Sequence, residues 1–251
     1  MSHSNEAEDY KIFSVETSQK FLENDDNIIK FSEDSKLEQK QTKNFKEVTY
    51  SFFKRALDIT ASSVALLVFS PVLLVTSIAI KRDSSGPVMF KQQRIGKDGK
   101  LFEIYKFRTM VEKADEKLFE LLEKDEVAKE EYQLNKKLKN DPRVTKVGNF
   151  LRRTSIDELP QLINVLKGEM SLVGPRPYLP REMDDIAGYY DSIIETKPGI
   201  TGLWQVSGRS NTTFEERLIY DKEYIENQGF LYDINLLTKT IGVVINKNGA
   251  E

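Results

Sequence analysis

The stretch "ITASSVALLVFSPVLLVTSIAI", Ile59 to Ile80, runs for 22 residues without a charged side chain. As a straight helix it would be about 33 Å long, which matches a bilayer core. Core helices of soluble proteins seldom use so long an uncharged run. A cleavable signal would begin at the N-terminus, whereas this segment follows roughly fifty polar residues. It is therefore read as a membrane helix. Lys54 and Arg55 precede it and Lys81 and Arg82 follow it, so the basic bias that marks a cytoplasmic side favours neither end. Pro71 near its middle lacks an N–H and disfavours helical geometry at Ser70, which predicts a sharp bend at Ser70–Pro71. A hairpin that dips in and returns fits both observations, and so does a kinked helix that spans.

Outward from that segment, the polar residues 1–48 lack periodicity and read as a disordered arm. The first fifty residues hold 11 acids and 7 lysines, a net −4 that leaves +1 for the rest of a chain whose total is −3. That balance argues against nucleic-acid binding. Tyr50, Phe52 and Phe53 suit the membrane interface, with Lys54 and Arg55 at the headgroups. Residues 49–83 read as the interfacial and membrane part, and residues 84–251 as the domain that follows it. In the latter, "PVMFKQQRIGKDGKLFEIYKFRTM" predicts a β-hairpin around Gly96–Gly99. Residues 112–140 carry 16 charges and read as a solvated helix. Leu159, Leu162, Ile163 and Leu166 recur at helical spacing with Lys167–Gly168 as a stop. A glycine-rich loop region and two helices complete an α+β, mainly helical fold.

The chain has no cysteine and one histidine, His3. Disulfides, thiolate zinc sites and Ser-His or Cys-His machinery are excluded, leaving carboxylates, Lys, Arg, Tyr and hydroxyls. The densest chemistry lies in "TSIDELPQLINVLKGEMSLVGPRP", Thr154 to Pro177, where Asp157 and Glu158 stand side by side. Ser155-x-x-Glu158 matches a helix capping box. Pro160 sits badly with that reading and better with Asp157 as the N-cap, a carboxylate beside free N–H groups that suit a phosphate. Arg176, between Pro175 and Pro177, presents a restrained guanidinium fork for an anion. Arg152 and Arg209 add cations, and residues 141–181 hold 7 basic and 4 acidic side chains. Two carboxylates and several arginines in a membrane-attached domain suggest phosphoryl chemistry.

"KRALDI", the Ser-Pro break, "YKFRTM", "LRRTSIDELPQLINVLKGEMSLVGPRP", "KPGITGLWQVSGR" and "YDKEYIENQGFLYDINLLTKT" together resemble the bacterial sugar transferases, the monotopic polyprenol-phosphate phosphoglycosyl transferases. The resemblance covers about residues 50–245. It implies transfer of a sugar 1-phosphate from a UDP-sugar to polyprenol (undecaprenyl) phosphate with release of UMP, the first membrane step of glycan assembly. It also implies a re-entrant helix-break-helix with both ends cytoplasmic, at the bacterial inner membrane. Asp157 would be the nucleophile of a covalent aspartyl-phosphosugar intermediate, and Glu158 its partner. Mg²⁺ would be held with Asp157 and Glu158. Lys106, Arg152, Arg176 and Arg209 would steady phosphates, with Asp233 near the site. A non-catalytic membrane adaptor that binds nucleotide sugars or glycan-assembly partners is the competing expectation.

Overall fold

The computed structural model describes residues 47–135, 138–139, 141–208 and 212–246. All but the last two residues of the acidic arm, and Arg209, lie outside them. The chain divides into two compact units, Met1–Phe52 and Phe53–Glu251. Of the first, the described residues 47–52 are helical.

Helix α1, Glu47–Asp83, is long and apolar enough to cross a bilayer. Its middle is largely uncovered by protein: Leu67 is 76% exposed and Leu74 64%. In water such a stripe would be a severe aggregation hazard, whereas hydrocarbon solvates it. The helix runs unbroken through Ser70–Pro71, so Ser70 keeps the helical geometry it was expected to lose. Pro71 cannot bond the carbonyl of Leu67, but the Ser70 hydroxyl donates to that oxygen at 2.8 Å and satisfies it instead.

Both flanks of the apolar stretch dock on the domain that follows. On one, Lys54 donates to the Val173 carbonyl at 2.9 Å and to Asp233 at 2.6 Å. Arg55 donates to the carbonyls of Val165 and Leu166 at 2.6 and 2.8 Å, capping the end of a helix. Buried Asp58 accepts from Leu172 N and Ser171 Oγ. On the other, Ile80 packs with Phe107 and Leu151, and Asp83 accepts from Val147 N at 3.2 Å.

The expected hairpin is present: β1, Met89–Ile95, pairs antiparallel with β2, Leu101–Phe107, from Met89↔Phe107 to Ile95↔Leu101. Its turn is a short 3-10 helix, Lys97–Gly99, in which Asp98 and Gly99 take positive φ of 58° and 71°. The solvated helix of 112–140 is two helices, α2 at Ala114–Lys124 and α3 at Glu126–Asn135. They part where Asp125 turns to extended geometry. Helix α4, Lys146–Thr154, starts on Thr145, whose side chain accepts from Gly148 N. A Cβ on Gly148 would lie 2.0 Å from the Thr109 carbonyl oxygen, so only glycine lets α4 close onto the segment after β2.

The capping reading of Ser155 fails. Ser155 instead ends α4 in left-handed geometry, φ 56°, with no side-chain cap bond into the 3-10 turn Ile156–Glu158 that follows. Nor does Asp157 start the helix, for α5 is Gln161–Lys167 with Pro160 at its N-cap position. Gly168 closes α5 at φ 83° as expected. A second sheet was not foreseen: β3, Ser171–Val173, pairs parallel with β4, Gly199–Thr201, inside the supposed glycine-rich loop. Helices α6 (Tyr190–Ile194), α7 (Leu203–Ser207), α8 (Phe214–Asn227) and α9 (Phe230–Asn246) complete the described chain. Ile95, Val173, Tyr178, Leu203, Leu218, Tyr224 and Leu236 fuse strands and helices into the main core.

Candidate active site

An open cleft of about 1510 Å³ is lined by Lys106, Arg152, Asp157, Glu158 and Arg176, five of the residues singled out in the sequence. They arrive on separate pieces of local structure, with only the two acids sharing one. Lys106 is the penultimate residue of β2, and Arg152 is in the last turn of α4. Asp157 and Glu158 sit in the 3-10 turn that the left-handed Ser155 swings back toward β2. Asn164 fixes this register: it accepts from Tyr105 N at 3.0 Å and donates to the Glu103 carbonyl at 2.7 Å, locking α5 onto β2.

The two neighbouring acids differ in proton affinity. Lys106 Nζ meets Glu158 Oε1 at 2.7 Å. Partial burial pushes Glu158 up, but the charge and hydrogen bond of Lys106, with the nearby Gln161 side chain and the Arg94 charge, outweigh it and hold the group below its usual range. Asp157 is only 8% exposed. Burial, then the Glu158 charge, raise it to about 6 against the pull of Lys106 and Arg152. One acid is thus a settled anion. The other is a buried carboxylate beside the Glu158 anion and the Lys106 and Arg152 cations, mostly ionised at neutral pH and poorly solvated. Arg152 donates Nε to Thr109 Oγ1 at 3.0 Å, and its remaining donors are not tied to a protein carboxylate by any ion pair among the described residues.

Arg176 is held by its backbone and through its neighbour. Its N–H donates to Asp221 Oδ2 at 3.0 Å, the Tyr178 hydroxyl donates to the same oxygen at 2.7 Å, and the guanidinium lies 5.7 Å from the Tyr178 ring centre. Glu182 accepts from Arg176 Nη2 at 3.4 Å. Asp221 is fully buried and pushed up to about 7 by burial, against the hydrogen bonds from Tyr178 and Arg176.

Asp233 is not among the residues lining the cleft. Its carboxylate takes Lys54 and the Tyr224 hydroxyl, at 2.6 and 2.8 Å, and so ties α1 to α9. Sequence reading passed over Arg94, Arg108, Arg143 and Arg217, which all line the cleft. Arg143 is spent on Asp141 through bonds of 2.6 and 2.8 Å. Arg94 bonds the Pro177 carbonyl at 2.9 Å and braces the Arg176 loop. Arg217 stacks 5.2 Å from the centre of Trp204. For Arg108 a signal existed: it lies two residues beyond Lys106, the spacing that puts both on one face of an extended segment.

Two adjacent carboxylates with an all-oxygen donor set fit Mg²⁺, which commonly takes one or two carboxylates and completes its shell with substrate phosphates and water. Among the described residues no group of three or more His, Cys, Asp or Glu gathers into a metal site.

Residues 49–247 match the family described as bacterial sugar transferase. The chain is 46% identical over 229 residues, 91% of its length, to an uncharacterized sugar transferase of Haemophilus influenzae, of which that match covers 48%. It is 47% identical over 199 residues, 79% of its length, to an undecaprenyl-phosphate galactose phosphotransferase of Salmonella typhimurium, covering 42% of that protein. It is 44% identical over 200 residues, 78% of its length, to the exopolysaccharide production protein ExoY of Rhizobium meliloti, covering 87% of it. The chain thus spans about half or less of the first two relatives and most of the third.

Proposed function

This chain belongs to the bacterial sugar transferase family, and we propose that it moves a sugar 1-phosphate from a UDP-sugar to polyprenol phosphate, with undecaprenyl phosphate as the acceptor. The observation that carries the reading is the cleft in which Asp157 and Glu158 face Lys106, Arg152 and Arg176. In the first step an Asp157 oxygen attacks the donor phosphorus that bears the sugar. The P–O bond to the UMP moiety breaks, UMP leaves with the bridging oxygen, and an aspartyl phosphosugar remains. In the second, an oxygen of the lipid phosphate attacks the same phosphorus and Asp157 leaves as a carboxylate.

The residues divide this work. Poor solvation of Asp157 leaves its anion reactive, while Lys106 holds Glu158 ionised beside it. Arg152 and Arg176 offset charge on the donor diphosphate and on the equatorial oxygens of the transition state. Asp157 and Glu158 would hold Mg²⁺, whose chemistry is to neutralise the charge of the departing UMP. Arg209 is assigned by resemblance to the same phosphate-binding role.

Topology follows from docking. Lys54 to Asp58 and Ile80 to Asp83 both contact the same domain. A spanning helix would put its ends on opposite sides of the bilayer. Shared docking supports a placement with both flanks of α1 on one face; the helix-break-helix itself, the bacterial inner membrane and a cytoplasmic domain are what the family resemblance implies, and the continuous helix at Ser70–Pro71 does not display the break. There the site reaches a soluble nucleotide sugar and a lipid phosphate together. A full-length preparation given undecaprenyl phosphate and a panel of UDP-sugars should release UMP with at least one donor. A chain that binds donors yet releases none with any of them is an adaptor.

A further inference from the structure

We infer that Arg108, at the junction of α1 and the cleft, is the binding residue for the acceptor's phosphate, a phosphate monoester carried on a hydrocarbon chain. The inference rests on the reaction proposed above and adds a second anion subsite to it. Arg108 is only 8% exposed. Its Nη2 donates to the Ser84 carbonyl and hydroxyl at 2.8 and 3.1 Å. Its Nε and Nη1 are buried without any hydrogen-bond partner among the described residues. Glu112 Oε1 stands on the same side of Gly86 as Nη1, but the Glu112 carboxylate accepts from Ser85 Oγ at 3.2 Å and no ion pair among the described residues joins it to Arg108. A buried guanidinium with two idle donors is costly unless an anion completes it.

Placement identifies the anion. Ser84 is the first residue after α1, so the guanidinium sits where the membrane helix hands over to the catalytic domain. Arg108 N continues the β-ladder by donating to the Val88 carbonyl at 2.9 Å, which puts its side chain on the Lys106 face. The same cleft is also lined by Phe69 and Val72 from the apolar part of α1 and by Pro87 and Phe90. A donor nucleotide has no use for such an apolar border, whereas a lipid phosphate has a chain to lay on it.

Two half-reactions separate this role from a structural one. Exchange of labelled UMP into UDP-sugar needs only the donor step, while product formation also needs the lipid. In detergent-solubilised full-length protein, R108Q should keep the exchange rate within about twofold. It should raise the KM for undecaprenyl phosphate about 10- to 100-fold, the loss expected of a charge-assisted hydrogen bond. R108K, a point charge without the fork, should raise it less. If melting shows that R108Q does not fold, R108K decides by the same split. Exchange falling in step with turnover would assign Arg108 to the donor or to the fold, and an unchanged lipid KM would remove it from the acceptor; either overturns the inference. Wild-type protein that forms product with no UMP exchange would instead sink the covalent intermediate, and the lipid KM would still judge Arg108.

Discussion

Asp157 and Asp221 are both buried acids pushed upward, to about 6 and about 7, yet one lines the cleft and the other is a latch behind it. Around Asp157 the cations Lys106 and Arg152 face open space where a ligand can enter. Around Asp221 the donors are Tyr178 and the Arg176 backbone, both inside the protein. The same chemical group therefore faces an open cleft in one region and closes an interior contact in the other. The difference lies in where its partners' remaining valence points, not in how far its proton affinity has moved.

Asp157→Asn should separate the two most strongly. Removing the nucleophile should lower UMP release at least about 1000-fold. Stability should not suffer. A folded-state value above the unfolded one means that ionisation costs the fold, a penalty that grows as pH rises from about 4 to about 6. The neutral amide relieves it, so at pH 7 the variant should be level with the wild type or more stable by up to about 2 kcal/mol in denaturant melts. Loss of the fold in this variant would erase the distinction.

Asp221→Ala should do the reverse. It strands the Tyr178 hydroxyl and the Arg176 N–H without their acceptor and should destabilise by about 2–4 kcal/mol in the same melts. Activity should fall chiefly through a higher donor KM, because Arg176 loses its tether.

The pH profile sharpens the reactive side. With Asp157 near 6, donor turnover should fall about tenfold per pH unit well below that value. Replacing Lys106 with Met removes a charge that lowers Asp157, so the acid limb should move to higher pH; an unmoved limb would assign it to another group. At the quiet end, the exposed Lys91–Glu103 pair is not among the residues lining the cleft, and Lys91→Ala should change stability by under about 0.5 kcal/mol.

What sequence reading missed follows the same division. The acids 157–158, Arg176, the hairpin and the Gly168 stop were legible because each is written in neighbouring residues. Ser155–Glu158 misled because the capping motif is local, while Ser155 is already used as the left-handed C-cap that ends α4. Asp233 was expected at the site, but its destination depends on Lys54, far away in the chain. β3 and β4 are three residues each and 28 positions apart at Ser171↔Gly199, too short to carry a period and too distant for a turn signal.

The sequence by itself determined that the chain holds one uncharged stretch long enough to cross a bilayer, that cysteine is absent and His3 the sole histidine, and that adjacent carboxylates and several arginines gather within one short segment. Composition and short-range periodicity act through adjacent residues, so they can be read from order alone. Only the tertiary structure decided which cations face the cleft, which acids are spent as tethers, and that both flanks of α1 rest on one domain. Those outcomes depend on burial and on hydrogen bonds between residues more than a hundred positions apart, such as Lys54 with Asp233 and Arg55 with Val165. Solvation and charge energies belong to places in space, and folding assigns those places.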